Sequence, residues 1–503
     1  MFPIEFLWRA AQRFPERTAI IAPEGEMCFR ELARRVVDRA GALSKLDPSS
    51  GGVVCVGASN TPEHLLWILS VLAAGKVWTP LNPRGGDPEL RRIIDFVRPA
   101  LVLVDEGMRP RVDSEGLTIR LFSEVSQGAG ETIAMGPVPH AGFALDRTQA
   151  IKFTGGTTGF PKGVKQPLRA WNTNIVTQMH AMRLSPDDRY LVAAPLTHGT
   201  STFMLPVLGS GGALIFPDAA NPASLLDAAE RHDASLFFAP PTLILALVDE
   251  QRRSPRNLRS LRLLVYGGAP MRREHIRDAQ GCFGPVVCTS YGQTEAPQVA
   301  TFLPPEQMTG DDLASVGRPT FLTQVGIFGS DGRALPNGRQ GEIALRGDLV
   351  MTGYLNAPEE TARTLKDGWL FTGDAGVIDE RGYLFIKDRI RDVIITGGFN
   401  VYPSDVEVVI SAQAGIVDCA VIGMPDEKWG EAVHAAVQVR SGSTFNRDQL
   451  AAVIKHELGS VKTPKEIHVF ETLPKSPVGK VLKAEIRDEI VRRRSSKARE
   501  DAV

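Results

Sequence analysis

The sequence lacks a surplus of either charge, because 57 basic residues stand against 58 acidic ones and the formal net charge is -1. A chain without a strong field of one sign is a poor candidate for binding nucleic acid or an anionic membrane surface. It is also short of cysteine: five are scattered without CxxC or histidine-linked spacing. Neither a disulfide framework nor a zinc site is therefore expected. We expect a small-molecule substrate.

Long apolar runs are missing as well. The most extended one, LLWILSVLAAG at Leu65 to Gly75, is shorter than the roughly 20 residues that a membrane-spanning helix needs. Charges interrupt the apolar character of the N-terminal stretch MFPIEFLWRAAQRFPERTAI, which excludes an ordinary secretory signal. We therefore expect a buried helix at this run, no membrane span and a cytoplasmic protein.

What the chain does contain is a repeated alternation of β-branched runs and helical patterns. GVVCVGAS leads into a helix pattern over Pro62 to Ala74, and the same order returns with ALIFP, SLLDAAERH and ASLFFAPP. This order favours an α/β fold with doubly wound parallel sheets covered by helices. After about residue 340 the pattern of predicted helices and strands changes. The segments SDVEVVISAQ, AVHAAVQV and NRDQLAAVIKHEL predict a small α+β domain at the C-terminus.

A glycine-rich stretch, FTGGTTGFPKG at Phe153 to Gly163, has the composition of a phosphate-binding loop. Its glycines permit close backbone approach, and its threonines and Lys162 offer hydroxyls and charge. It is not a Walker A loop, because Pro161 precedes the lysine and prevents the turn into a helix that the Walker loop makes. By itself the stretch also fits a flexible surface loop.

Five further segments follow in order: YGGAP at Tyr266 to Pro270, SYGQTEA at Ser290 to Ala296, TGD at Thr372 to Asp374, DRIRDVIITGGFNVYPSDVE at Asp388 to Glu407, and LPKSPVGKVLK at Leu473 to Lys483. Together with the loop they resemble the adenylate-forming superfamily of acyl-CoA synthetases, firefly luciferases and adenylation domains, over nearly the whole chain. The resemblance implies a domain at 1–388 that binds adenylate and acid, a hinge at 389–391 containing Arg391, and a mobile lid domain at 392–503.

The resemblance also implies which residues bind MgATP. Those at the β- and γ-phosphates are Thr154, Gly155, Gly156, Thr157, Thr158, Gly159 and Lys162. The adenine and acyl pocket has Gly267, Gly268, Ala269, Tyr291 and Gly292, where Tyr291 stacks on the base. Thr294 and Glu295 contact phosphate, Mg²⁺ is held by Glu295 and Thr158, and the ribose is held by Asp374 and Arg389. Gly155 stands where the family usually has serine, and we expect this departure to affect ATP binding.

In the family, the lysine that Lys480 matches stabilises attack of a carboxylate on the α-phosphorus of ATP, where negative charge meets negative charge. A tunnel for the pantetheine of coenzyme A is implied at Gly397 and Gly398. Trp429 and Lys465 match contacts to the CoA nucleotide, with a packing role for the first and a solvated charge for the second as alternatives.

The acid substrate is less well defined. His198, in APLTHGTSTF, matches a position that orients the carboxylate, and a structural histidine is the alternative. Small residues follow it. Ser290 stands just before Tyr291, where an arginine would bind the second carboxylate of a dicarboxylic acid, and its presence there disfavours such an acid. We predict an aromatic or medium-chain monocarboxylic acid and an ATP-dependent acid–CoA ligase that is a monomer or homodimer. A carrier protein as acyl acceptor, or a non-catalytic nucleotide-binding homologue, is the alternative.

Overall fold

The computed structural model describes residues 1–49, 51–113, 116–126, 144–154, 162–396, 399–426, 429–440, 442–443, 445–475 and 481–500. The chain forms two compact units. The first comprises Met1–Val325, Ala344–Phe371 and Gly382–Leu384, and the second comprises Gly326–Ile343, Thr372–Arg381 and Phe385–Val503. The predicted fold class, α/β with a large N-terminal and a small C-terminal domain, is confirmed. The boundary at residue 388, the hinge at 389–391 and the mobility of the lid stay predictions.

The α-helices are α1 (Glu5–Arg13), α2 (Phe29–Leu46), α3 (Pro62–Ala73), α4 (Asp87–Val97), α5 (Arg109–Val112), α6 (Phe122–Ser126), α7 (Leu168–Ala181), α8 (Ser201–Gly209), α9 (Pro222–Arg231), α10 (Pro241–Arg253), α11 (Arg273–Phe283), α12 (Pro358–Thr364), α13 (Pro403–Ser411), α14 (Arg447–Leu458) and α15 (Lys483–Glu500). Short 3₁₀ helices cover Pro305–Gln307, Gly310–Ala314 and Ile390–Asp392. Within the described ranges, no helix has the length and apolar character needed to cross a bilayer.

The strands are β1 (Thr18–Ala22), β2 (Gly25–Cys28), β3 (Val53–Gly57), β4 (Val77–Pro80), β5 (Leu101–Val104), β6 (Ile119–Leu121), β7 (Thr148–Phe153), β8 (Gly163–Pro167), β9 (Arg189–Leu191), β10 (Ala213–Ile215), β11 (Leu236–Ala239), β12 (Leu263–Tyr266), β13 (Val287–Gln293), β14 (Ala296–Leu303), β15 (Arg318–Pro319), β16 (Gln324–Phe328), β17 (Gly341–Arg346), β18 (Gly353–Tyr354), β19 (Leu365–Lys366), β20 (Trp369–Ile378), β21 (Leu384–Arg389), β22 (Ile394–Thr396), β23 (Phe399–Val401), β24 (Ile416–Asp426), β25 (Gly430–Val439) and β26 (Glu466–Phe470).

The first unit contains two large sheets. One has the strand order β15-β14-β13-β12-β11-β9-β10-β1-β2, and the other has the order β18-β8-β7-β4-β3-β5-β6. Their central pairs are parallel, as in β11 with β12, β12 with β13 and β3 with β4. Parallel strands connected by helices place all their carboxyl ends at one edge, where such folds bind ligands.

Helix α3 shows why the predicted apolar run becomes a helix. Thr61 caps it by accepting a hydrogen bond from the His64 N–H at 3.2 Å, and Pro62 occupies the first helical turn, where a missing N–H costs nothing. Every residue from His64 to Leu72 is buried. A helix that is apolar on all sides is stable only inside a core, and this one contributes to the main core of the first unit.

A five-stranded sheet has the order β16-β17-β20-β19, with β21 pairing β20. The connection between β20 and β21 is a turn at Asp379 to Gly382, and Gly382 has a φ of 83°, a left-handed conformation that glycine adopts without steric cost. The second unit contains a sheet of order β23-β22-β25-β24, in which β26 pairs in parallel with β25. Helices α13 and α14 pack their apolar residues onto the core of this sheet.

Candidate active site

In the first unit, Lys162 and Glu295 both contact the side chain of Tyr354. Lys162 precedes β8, and its Nζ lies 5.1 Å from the ring centroid of Tyr354 and forms an ion pair with Glu360 of α12. The Tyr354 hydroxyl donates a hydrogen bond of 2.9 Å to Oε1 of Glu295. The residue predicted to hold phosphate and the residue predicted to hold Mg²⁺ are therefore neighbours of the same side chain.

The charges of this group are mutually adjusted. The hydrogen bond from Lys162, followed by that from Arg363, lowers the pKa of the Glu360 carboxyl. Burial, and then the nearby Glu295 carboxylate, raises the pKa of the Tyr354 hydroxyl. Tyr354 therefore keeps its proton and acts as a hydrogen-bond donor to Glu295.

Tyr354 and Glu360 were missed by the sequence analysis. Tyr354 reaches the site because β18 pairs antiparallel with β8, with Tyr354 opposite Val164. A two-residue strand nearly 190 residues from its partner leaves no periodic signal in the sequence. Glu360 follows because α12 begins four residues after Tyr354.

The turn between β13 and β14 carries Thr294 and Glu295. The Met351 N–H donates to the Glu295 carbonyl at 2.8 Å, and the Gln166 side-chain amide donates to the Thr294 carbonyl at 2.7 Å. Gly292 leaves no room for a side chain, because an added Cβ would lie 2.7 Å from the backbone of Gln298. The close turn therefore requires glycine at this predicted site position.

The predicted adenine segment follows β12, next to β13. Since β12 and β13 are parallel, with Tyr266 opposite Thr289, Gly267, Gly268 and Ala269 leave the sheet at the same edge as Tyr291. The Tyr291 side chain is buried. Gly268 has a φ of 79°, and an added Cβ would meet nothing within 4 Å, so its glycine is required by backbone conformation and not by crowding.

His198 precedes α8 and remains at the surface. Its Nδ1 lies 2.9 Å from the Thr197 hydroxyl oxygen. The surrounding protein removes part of the ring's hydration, and Lys152 and Arg84 add positive charge nearby, so the pKa of His198 is lowered. A neutral imidazole is therefore favoured at pH 7. Next to it, Gly199 allows close packing of Phe238, because an added Cβ would lie 2.6 Å from that ring.

In the second unit, the predicted ribose pair is in direct contact. The Arg389 Nε lies 2.8 Å from Oδ1 of the buried Asp374. The Asp374 N–H donates to the Thr372 hydroxyl oxygen at 3.1 Å. Asp388, beside Arg389, accepts from the N–H groups of Arg389 and Ser404, and burial raises the pKa of its carboxyl.

The two residues predicted to contact the CoA nucleotide also lie together in the second unit. Lys465 Nζ is 5.7 Å from the ring centroid of Trp429, and the Trp429 side chain is exposed. A cation beside an exposed aromatic face suits a nucleotide that carries both a base and phosphates.

The remaining predicted positions lie outside the described residues: Gly155, Gly156, Thr157, Thr158, Gly159, Gly397, Gly398 and Lys480. Thr154 is described at the entrance of the glycine-rich loop, where its N–H donates to the Lys162 carbonyl at 3.2 Å. That bond joins the two ends of the loop.

The chain matches two family models. The model of AMP-binding enzymes matches residues 7–355, and the model of the AMP-binding enzyme C-terminal domain matches residues 405–480. Feruloyl-CoA synthase of Amycolatopsis sp is 34% identical over 483 residues, which cover 95% of this chain and 97% of that protein. Medium/long-chain-fatty-acid–CoA ligase FadD8 of Mycobacterium tuberculosis is 31% identical over 508 residues, which cover 95% of this chain and 88% of that protein.

A solved structure of a CoA synthetase has a similar fold. o-Succinylbenzoate CoA synthetase (MenE) of Bacillus subtilis, in complex with an acyl-adenylate intermediate, superposes with a TM-score of 0.86 at 26% identity, over 96% of this chain and 97% of that one. The similarity extends over both units of the chain.

Proposed function

Because the chain belongs to the AMP-binding enzymes, we propose that it ligates a carboxylic acid to coenzyme A in two steps, with the residues described above in the roles predicted for them. It is an acyl-CoA synthetase of the AMP-forming type, with ATP and CoA as co-substrates. In the first step a carboxylate oxygen attacks the α-phosphorus of ATP and pyrophosphate leaves. In the second step the CoA thiol attacks the acyl carbon, the thioester forms and AMP leaves.

The observation that best supports these roles is the arrangement of Lys162, Tyr354 and Glu295 in the first unit. A lysine suits the leaving pyrophosphate, which gains charge as the P–O bond breaks. The Tyr354 hydroxyl, 2.9 Å from Glu295, orients the Glu295 carboxylate. In the proposed roles this carboxylate lies beside the same pyrophosphate. The ion pair of Lys162 with Glu360 holds the lysine, and MgATP would have to compete with Glu360 for it.

The donor set at Glu295 suits Mg²⁺. Magnesium takes oxygen ligands and is commonly held by one or two carboxylates together with substrate phosphates, and Glu295 with the Thr158 hydroxyl would supply that kind of ligand. When bound, the ion would neutralise charge on the phosphates. Glu295 would hold the ion, Tyr354 would orient the Glu295 carboxylate, and Lys162 would bind phosphate directly.

The proposed first step also needs a cation at the reacting oxygens, and we assign it to Lys480. The neutral His198 would orient the incoming carboxylate by a hydrogen bond without adding charge. Asp374 and Arg389 would hold the ribose hydroxyls, since a carboxylate accepts and a guanidinium donates. Gly397 and Gly398 would leave room for pantetheine, while Trp429 and Lys465 would bind the CoA nucleotide.

The proposed acid is an aromatic or medium-chain monocarboxylic acid. The names of the two relatives support this range, since one acts on an aryl acid and the other on medium and long fatty acids. The packing of Phe238 against Gly199 and Gly267 adds an apolar wall near His198. We further propose a cytoplasmic monomer or homodimer.

The test is acid-dependent pyrophosphate release, measured with a panel of aryl and straight-chain acids, with and without CoA. We expect slow or single-turnover release without CoA and multiple turnovers with formation of the thioester when CoA is present. Adenylation that CoA does not accelerate would assign the acyl group to another acceptor, such as a carrier protein. ATP binding without pyrophosphate release for any acid would make the chain a nucleotide-binding homologue and refute the proposal.

A further inference from the structure

A lysine that is not among the predicted site residues lies buried beside the site. Lys152, on β7, is 8% exposed, and its Nζ lies 2.8 Å from the Ser201 hydroxyl oxygen. The same ammonium lies 4.9 Å from the ring of Trp78 and 5.4 Å from the ring of Trp171. Two aromatic faces attract a cation, but they do not accept a hydrogen bond as an oxygen lone pair does.

Among the described residues, the recorded hydrogen-bond partner of the Lys152 ammonium is the Ser201 hydroxyl. The Ser201 hydroxyl donates to the His198 carbonyl at 2.6 Å, so towards Lys152 it acts as an acceptor. An ammonium has three donors, and across the described part of the chain no carboxylate forms an ion pair with this one. The indole N–H of Trp171 is also buried without a partner there. Burial lowers the pKa of Lys152 to about 7.

A small cavity adjoins these donors. It measures about 10 Å³, and its lining includes Lys152, Gln166, Trp171, Asn174, Ser201 and Pro297. That volume holds about one water-sized group, which is the size of a single oxygen atom with its hydrogen.

The position of the cavity relates it to the substrate. Ser201 is three residues after His198, Pro297 is two residues after Glu295, and Lys152 is two residues before Thr154. Segments that carry the proposed carboxylate, metal and phosphate contacts therefore meet at one space with a buried cation. The Ser201 hydroxyl connects the Lys152 ammonium to the His198 carbonyl, so this space lies near the position proposed for the acid.

We propose that Lys152 determines substrate specificity by binding a second, acidic oxygen of the acid, either a carboxylate or a phenol oxygen. The inference rests on the proposed function, since it assumes that the acid binds beside His198. It changes the predicted range of acids: an acid with a second acidic oxygen is preferred over its plain counterpart, and this range includes dicarboxylic acids as well as hydroxyaryl monocarboxylic acids. A buried cation without a counter-charge is costly, and such an oxygen removes that cost.

The experiment compares paired acids in the pyrophosphate-release assay. One pair is a straight-chain dicarboxylic acid and the monocarboxylic acid of equal length, and the other is a hydroxyaryl acid and its unsubstituted analogue. The enzymes are wild type, Lys152→Met, Lys152→Gln and the control Lys165→Met, a lysine on the adjacent strand β8 that is absent from the cavity lining. An unchanged KM for ATP reports that each variant is folded.

Wild type and Lys165→Met are expected to prefer the acid with the acidic oxygen in one of the pairs, and the pair concerned identifies the carboxylate or the phenol. Both Lys152 variants should lose on the order of 10- to 100-fold in kcat/KM for that acid, the usual effect of removing a hydrogen bond to a charged group, with little change for its plain counterpart. Equal loss for both members of a pair, or no preference in wild type, would refute the role of Lys152. Absence of pyrophosphate release with every acid would instead refute the proposed function.

Discussion

The guanidinium of Arg389 and the carboxylate of Asp374 are 2.8 Å apart, and Asp374 is buried while Arg389 is half-exposed. The buried carboxylate therefore fixes the orientation of a more exposed guanidinium. If the pair binds the ribose, removing the charge of Asp374 weakens ribose binding by both residues, because Arg389 loses the group that orients it.

We predict that Asp374→Asn raises the KM for ATP about tenfold and leaves the KM for the acid nearly unchanged, since a hydrogen bond to a charged group contributes about 1.5–3 kcal/mol. Initial-rate kinetics with each substrate varied in turn measure this. The control is Asp379→Asn, which removes a carboxylate that lies 2.9 Å from Arg381 in the same unit. Equal values of KM for ATP in the two variants would contradict a ribose role for Asp374.

The fold was accessible from the sequence because it depends on signals that are local, whereas the shared ribose role of Asp374 and Arg389 was implied by the family resemblance. Helix α3 has its cap and its apolar run in adjacent residues, and the predicted end at Ala74 differs by one residue from the observed end at Ala73. The motifs around Lys162 and Glu295 are likewise contiguous. Local signals of this kind can be recognised without any knowledge of tertiary contacts.

Tyr354 and Lys152 could not be predicted in the same way. Tyr354 meets Glu295 only because β18 pairs with β8, and strand pairing over a long sequence separation is a property of the folded chain. Lys152 interrupts the apolar strand AIKF, which is a local warning, since a lysine is rarely buried without a partner. Its position between Trp78 and Trp171, however, follows from the packing of three separate elements.

The hydroxyl of Tyr354 provides a prediction about metal dependence. Tyr354→Phe removes the hydrogen bond to Glu295 and keeps the ring under Lys162, so the carboxylate becomes less well oriented. We expect the Mg²⁺ concentration for half-maximal activity to rise several-fold, and Glu295→Gln to lower kcat/KM for ATP on the order of 100-fold. Tyr383→Phe is the matched control, because that hydroxyl bonds Gln307 at 2.9 Å in the same unit. A Mg²⁺ titration of Tyr354→Phe that overlays the wild-type curve would exclude this role.

Lys480 lies outside the described residues, and its role rests on the chemistry of adenylation. Lys480→Ala should slow acyl-adenylate formation on the order of 10²- to 10³-fold, because a fixed cation at the reacting oxygens is lost. Thioester formation from supplied acyl-AMP and CoA should continue. Single-turnover assays of each step measure this, with Lys475→Ala as control, a lysine whose Nζ lies 2.7 Å from Asp418. A similar loss in both steps would show that Lys480 is not specific to adenylation.

Substitution of Gly398 should have the opposite effect to Lys480→Ala, sparing adenylation and blocking thioester formation. Gly398→Leu would fill the proposed path of pantetheine, so we expect pyrophosphate release in the absence of CoA to be retained and thioester formation to be lost. The same leucine at Gly281, on α11, is the control, since an added Cβ there meets nothing within 4 Å. Normal CoA turnover in Gly398→Leu would exclude the tunnel at this position.

The buried ammonium of Lys152 makes a prediction about stability that does not depend on any substrate. Burial lowers its pKa from the ordinary lysine value of 10.5 to about 7 in the folded protein. Between these two values the unfolded chain binds more protons than the folded one, so the contribution of Lys152 to the free energy of unfolding rises with pH. From pH 7 to pH 9 that contribution grows by about 2 kcal/mol.

Lys152→Met removes this dependence. We therefore expect the variant to gain stability relative to wild type at pH 7 and to lose most of that advantage at pH 9, where the wild-type lysine is already neutral in the folded state. Thermal unfolding midpoints of both proteins at the two pH values measure the change, and titrations common to both cancel in the difference. Lys165→Met, on the adjacent strand, is the matched control for the loss of a lysine side chain. A gap between Lys152→Met and wild type that stays constant or widens with pH would mean that Lys152 remains protonated in the folded protein.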